Sequence, residues 1–284
     1  YRKATYNFDR CLYVIGLEQK LRFAYVFKVI KLMGNDYAKN IVHISYGLEA
    51  LRAVRFVNVK VMIFLQKTDS RIINKKTSII EDRNPDIPDK EEVAKQVGIG
   101  AIIFNDLYNQ RIKDVIFDWN QLLNFDGETG PYVQYTYARA SSVLRKIGEV
   151  PDTIDYTLLT DEASIGLLKE IERYPQVIKD AAERYEPSVI ARYSIDLAHA
   201  FNKFYHECQI NVEDETTKYT RTNVVKIARY IIKDALSLLG IHVLIKCNPQ
   251  LCDFEPLFYR ILILVQTKPM FHMKHWLFYL YNSS

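Results

Sequence analysis

The chain has 284 residues, 49% apolar and 25% charged, with a formal net charge of +4. That balance is the one of a soluble globular protein, and the length suffices for one large or two ordinary domains. Four scattered cysteines (Cys11, Cys208, Cys247, Cys252) are too few for a disulfide scaffold and point to a reducing, intracellular setting.

YRKATYNFDR at the start lacks the apolar core of a signal peptide, and a core-like segment follows directly. The chain is therefore expected to begin inside a domain. Residues 11–15 (CLYVI) form a short apolar run ending at Gly16, the pattern of a buried parallel strand. Phe23, Phe27, Ile30 and Met33 then share one face of an amphipathic stretch that Gly34 should stop, predicting a helix. IVHIS at 41–45 reads as the next strand. This β-α-β order predicts a doubly wound α/β sheet with its ligand at the carboxyl ends of the strands. Residues 57–65 (VNVKVMIFL) read as a further strand by their β-branched content, and Pro85 and Pro88 mark a boundary.

From about residue 91 the pattern becomes helical. Val133, Tyr137, Ala140, Leu144 and Ile147 follow Pro131 at helical spacing. Leu167, Ile171, Tyr174 and Ile178 mark a second helix; Ile190, Tyr193, Leu197, Ala200 and Phe204 a third. Val224, Ala228, Ile231, Ala235 and Leu238 mark a fourth, closed by Gly240 in the position favoured for a C-terminal cap. Four apolar stripes with short connections predict an antiparallel bundle. The last 44 residues differ: apolar bursts (LFYRILILV, WLFYLY) are broken by Pro249, Pro256 and Pro269.

Charge is divided unevenly. Residues 1–90 carry 17 Lys and Arg against 9 Asp and Glu, a net of +8. Residues 91–240 carry 17 against 23, a net of −6. General polyanion affinity thus belongs to the first third, and any nucleic acid bound by the acidic middle should be held through base contacts. Cys247 and Cys252, with His272 and His275 downstream, superficially suggest zinc. Their spacings fit a zinc site poorly, so free thiols and surface imidazoles are expected, with no structural metal.

Two helices carry clusters of a different kind: Tyr132, Tyr135, Tyr137 and Arg139 on one, Phe201, Asn202, Phe204, Tyr205 and His206 on the other. Exposed aromatics beside Arg and Asn suit the stacking and edge-reading of unpaired RNA bases. Aromatics at helical spacing are equally the mark of a core. Tyr137 and Phe204 fall on the apolar stripes and read as core. Tyr135, Arg139, Asn202 and Tyr205 fall off them and are the candidates for an RNA-binding face.

Residues 98–146, GIGAIIFNDLYNQRIKDVIFDWNQLLNFDGETGPYVQYTYARASSVLRK, resemble arginyl-tRNA synthetases where their class I catalytic core joins the helical anticodon-binding domain. DEASIGLLKEIERYPQVIKDAAERYEPSVIARYSIDLAHAFNKFYHE (161–207) continues the resemblance. DALSLLG (234–240) is similar to the Asp-Ala-Leu-Arg signature of that domain, with Ser237 in the last place. Upstream, YNFDRCLYVIGLEQKLRFAYVFKVIKLMG and VHISYGL resemble the second half of the family's nucleotide-binding fold.

The resemblance implies a mixed fold: a partial α/β Rossmann-like catalytic domain, then an all-α anticodon-binding bundle. The expected divisions are 1–90 for the catalytic part, 91–127 for a connecting helical segment, 128–241 for the bundle and 242–284 for an atypical tail. It implies an arginine–tRNA ligase using ATP with Mg²⁺ on its phosphates, L-arginine and tRNA-Arg, cytoplasmic and monomeric, with no membrane partner. Gln19 matches the glutamine that reaches the amino-acid pocket. His43 and Gly47 match the segment that packs on the ATP adenine. Tyr135, Arg139, Asn202 and Tyr205 match helices turned toward the anticodon loop.

Three departures stand out. The family's His-x-Gly-His loop is absent, Arg22 stands where a His is usual, and RAVRFVNVKVMIFLQKTDSRIINKKT (52–77) replaces the Lys-Met-Ser signature loop. Compensating frameshifts would produce the rewritten stretch and tail. The implied reading is a fragment or degenerate copy, with a non-catalytic anticodon-binding module as the alternative.

Overall fold

In the computed structural model the described residues are 1–47, 49–51, 54–55, 90–117 and 127–243. They divide into two compact units, 1–55 with 109–117, and 90–108 with 127–243. The strand expected at 57–65, the boundary at Pro85 and Pro88, most of the 52–77 stretch, Cys247, Cys252, His272, His275 and the tail from 244 lie outside the described residues.

After a short helix α1 (Arg2–Tyr6), the first unit runs β1 (Cys11–Gly16), a 3-10 turn at Leu17–Gln19, α2 (Lys20–Leu32) and β2 (Ile41–Tyr46). β1 and β2 pair in parallel, from Cys11 opposite Ile41 to Gly16 opposite Tyr46. Parallel strands cannot be joined by a tight turn, so α2 supplies the crossover. Phe23 and Phe27 are half-buried and pack on the Tyr13 ring, with centroids 5.2 and 5.9 Å away. Met33, expected on the same stripe, is exposed. It caps α2 just as the chain turns away through Gly34 at φ 76°, so it leaves the helical face.

β3 (Glu49–Leu51) pairs antiparallel with β4 (Val54–Arg55) and parallel with β5 (Val115–Phe117). β5 comes from the stretch expected to be a connecting helical segment. Its β-branched and aromatic residues, VIF, favour a ladder over a helix.

The second unit is a helical bundle: α3 (Lys90–Tyr108), α4 (Gly130–Ile147), α5 (Glu162–Arg184), α6 (Ser188–Glu207) and α7 (Glu215–Leu238). The four expected stripes face inward, and Val133, Tyr137, Leu167, Tyr174, Leu197, Phe204, Val224 and Ile231 belong to one buried core. α3 joins them as a fifth helix, burying Ala94, Val97, Ala101 and Phe104. It lies so close to α4 that a Cβ at Gly130 would sit 2.9 Å from the Gly100 carbonyl oxygen. Side-chain caps fix three helix starts: Thr129 accepts from the Tyr132 N–H, Asp161 from Ser164 and Asp214 from Thr217. Gly240, at φ 73°, ends α7. There the Ile241 N–H bonds the Leu236 carbonyl at 2.9 Å and the Gly240 N–H bonds that of Ser237 at 3.0 Å, a Schellman closure.

Candidate nucleic-acid interface

Tyr132, Tyr135 and Arg139 step by three and four along α4, and Thr136 lies four after Tyr132 and three before Arg139, so one side of the helix carries all four. His199, Asn202 and Tyr205 do the same on α6. The contacts between the helices advance in step. Tyr132 meets His199 edge to face at 5.2 Å, Asn202 bonds Thr136 at 3.1 Å, and Arg139 lies over Tyr205. The two helices therefore run in the same direction along this surface, as an up-down bundle requires of alternate helices.

At the centre, the Arg139 guanidinium packs against two rings, 5.0 Å from the Tyr135 centroid and 5.1 Å from that of Tyr205. Guanidinium planes stack well on aromatic faces because the delocalised cation meets the negative face of the ring. Arg139 Nη1 donates to Asn202 Oδ1. The Asn202 amide nitrogen donates to the Tyr132 hydroxyl at 2.9 Å and to Thr136 Oγ1 at 3.1 Å. The Thr136 hydroxyl donates in turn to the Tyr132 carbonyl at 3.0 Å. Because a guanidinium only donates, the amide oxygen of Asn202 must face Arg139.

Burial grades across the cluster. Phe201 is fully buried and stacks beneath Tyr205 at 6.4 Å. Arg139, Asn202 and Tyr132 are half-buried, whereas Tyr135 and Tyr205 are 39% and 36% exposed. The rings are thus backed by the core and open outward. Such a surface can stack unpaired bases and donate hydrogen bonds to their edges. All four residues expected to form the RNA-binding face come together here. Sequence reasoning passed over Thr136 and His199. The signal for both was their spacing, one residue past Tyr135 and three before Asn202, off the apolar stripes.

In the first unit, Gln19 closes the turn that follows β1 and is half-buried. Gly47 directly follows β2, so both lie past the carboxyl ends of adjacent parallel strands. The Gly47 N–H donates to the Arg111 carbonyl at 2.7 Å, and Arg111 Nη1 donates to the Ser45 carbonyl. A Cβ at Gly47 would overlap the Lys113 carbonyl, whose carbon would be 2.6 Å away. His43 lies within β2. Its Nε2 donates to the Ile15 carbonyl at 3.0 Å, and its ring stacks on Phe23 at 4.7 Å. The imidazole is thereby held between the two strands' backbone and α2.

Residues 1–119 match the family model for the catalytic domain of class I tRNA synthetases of the arginine type, and residues 133–246 match that for the DALR anticodon-binding domain. With a parallel β-α-β unit under one and a helical bundle under the other, the chain is of the class I aminoacyl-tRNA synthetase kind. It is 49% identical over 243 residues to the arginine–tRNA ligase of Alkaliphilus metalliredigens and 48% identical over the same length to that of Halothermothrix orenii. In each case the match covers 85% of this chain and 43% of the relative. Its backbone superimposes on Thermus thermophilus arginyl-tRNA synthetase with a TM-score of 0.75 and 30% identity, over 83% of this chain and 40% of that one. The Plasmodium falciparum enzyme, at 24% identity and a TM-score of 0.71, shares the fold. The chain belongs to the arginyl-tRNA synthetase family, and it spans less than half the length of these relatives.

Proposed function

We propose that this chain works within an arginine–tRNA ligase. That reaction joins L-arginine to ATP, giving arginyl adenylate and pyrophosphate, and then passes the arginyl group to the terminal ribose of tRNA-Arg with release of AMP. Residues 1–90 belong to the catalytic part together with the β5 segment, α3 joins the bundle of 128–241 that holds the anticodon, and 242–284 follow it. Gln19 serves the amino-acid pocket, and His43 and Gly47 the adenine segment. Tyr135, Arg139, Asn202 and Tyr205 form the face that is turned toward the anticodon loop.

Among the described residues no group of three His, Cys, Asp or Glu gathers to hold a metal. Mg²⁺ is assigned to the ATP phosphates, whose charge it neutralises. No described helix is long and apolar enough to cross a membrane. A cytoplasmic monomer is the setting we propose.

The observation that carries the reading is the Arg139 guanidinium packed against two exposed tyrosines and tied to Asn202. It sits in a region whose net charge is negative, where base contacts must replace bulk attraction. A second reading, a non-catalytic anticodon-binding module, draws support from the replaced signature loop at 52–77. Arginine-dependent exchange of pyrophosphate into ATP separates the two. Exchange by this chain supports the ligase, whereas anticodon-dependent tRNA-Arg binding without exchange supports the module.

A further inference from the structure

The Asn202 side chain has an unusual position for an RNA-facing amide. Its carbonyl oxygen is taken by Arg139, and its nitrogen donates to both the Tyr132 hydroxyl and Thr136 Oγ1. An amide with both ends engaged in the protein has little left with which to read a base. What it does is join two aromatic groups that would otherwise be independent. On one side lies the packed set Tyr135, Arg139 and Tyr205. On the other lies Tyr132, which meets the exposed His199 ring edge to face at 5.2 Å.

We propose that Asn202 is a positioning residue that locks these two groups into one platform, and that the Tyr132–His199 pair is a second base-binding step beside the Tyr135–Arg139–Tyr205 stack. The inference rests on the anticodon-binding reading and goes beyond it in the residues and in the number of bases held. The ligand is a pair of successive unpaired nucleotides in an RNA loop.

Helix geometry sets the spacing. His199 and Tyr205 are six residues apart on α6, which places their backbones about 9 Å apart along the helix axis. Stacked nucleotides repeat at about 3.4 Å along one strand. Two bases on these steps are therefore splayed apart, as in RNA loops that proteins read one base at a time. Splaying costs the loop its own stacking, so the receiving rings must be held in place beforehand. Asn202 meets that need: one side chain fixes the Arg139 plane and the Tyr132 ring together. Phe201 supports the Tyr205 ring from the core. His206 approaches Tyr205 edge-on at 5.5 Å, and Lys203 is occupied by Glu162 at 2.7 Å. Neither lies between the two steps.

The test uses the full chain and RNA hairpins carrying the anticodon loop of tRNA-Arg, each with one loop nucleotide made abasic. For the unaltered chain, two adjacent abasic positions each weaken binding about 10-fold. Tyr205→Ala abolishes the sensitivity at one of them and His199→Ala at its neighbour. Asn202→Ala lowers sensitivity at both. Tyr132→Phe keeps the ring but removes the acceptor for Asn202, and it lowers sensitivity at both positions without altering the thermal transition; it also covers the case in which Asn202→Ala does not fold. Loss at one position only in Asn202→Ala and Tyr132→Phe overturns the coupling. Unchanged sensitivity in His199→Ala overturns the second step. If no abasic position weakens binding to the unaltered chain, the anticodon reading falls and this inference with it.

Discussion

The Tyr174 hydroxyl donates to the Asp234 carboxylate at 2.6 Å, joining the middle of α5 to the end of α7. Asp234 opens the DALS segment that stands at the family signature, so the acidic residue of that signature has a packing role here. Burial of Tyr174, reinforced by the negative charge of Asp234, pushes its hydroxyl well above the ordinary tyrosine range. It therefore stays protonated and able to donate. Asp234→Ala should leave a buried hydroxyl without its acceptor and lower stability by about 2 kcal/mol. Urea unfolding of the two proteins checks this. An unchanged midpoint would show that the bond contributes nothing.

Asp161 caps α5 and also receives the last residue of the α6 turn. Its carboxylate accepts from the Ser164 N–H and hydroxyl, both at 2.7 Å, and from the Cys208 thiol at 3.0 Å. Burial alone would raise its pKa, but the bonds from Cys208 and Ser164 outweigh it and hold the carboxyl below the ordinary range. The same site pushes the Cys208 thiol up to about 11, through burial first and the Asp161 carboxylate second. A depressed carboxyl stabilises the fold above the unfolded value of about 4, and that stability is lost as pH falls through the folded value. Thermal unfolding between pH 3 and 7 should show a steeper acid decline in the unaltered chain than in Asp161→Ala. At neutral pH the variant should be about 1 kcal/mol less stable, the usual worth of such a cap. Parallel pH curves would contradict this account of the cap.

Gly47 is constrained by neighbours rather than by its own backbone. A side chain there would overlap the Lys113 carbonyl and displace the 109–117 segment that bonds Ser45 and Gly47. Gly47→Ala should therefore cost about 1–3 kcal/mol, the range for overpacking. Hydrogen exchange should speed up at the Gly47 amide and along β5, leaving the α5–α7 core unchanged. Unaltered protection at Gly47 would show that the segment yields without consequence.

The bundle was legible because periodicity, caps and breakers agreed. Pro131 near the start of α4 and Gly240 after α7 both mark the helix ends they suggested. The off-stripe position of Tyr135, Arg139, Asn202 and Tyr205 separated them from core tyrosines such as Tyr137 before any contact was known. What spacing could not supply was the partner list. Asn202 reads as a base-contacting amide on the helix, and its engagement by three side chains of α4 appears only when the two helices are brought together. β5 was missed for a related reason: three residues, VIF, carry too little periodicity, and their strand state comes from pairing with β3, more than sixty residues away. The core role of α3 went unread too, since its stripe of Ala94, Val97, Ala101 and Phe104 is made mostly of small residues, and Gly100 lets it approach α4 closely.

The central claim is that α4 and α6 hold the anticodon loop through the Arg139 stack. Equilibrium binding of tRNA-Arg, compared with the same tRNA carrying altered anticodon bases, tests it most directly. The unaltered chain should bind the native anticodon about 10-fold or more tightly, and Arg139→Ala should erase that difference while the thermal transition persists. Equal affinity for the two tRNAs, or discrimination that survives Arg139→Ala, would contradict the account.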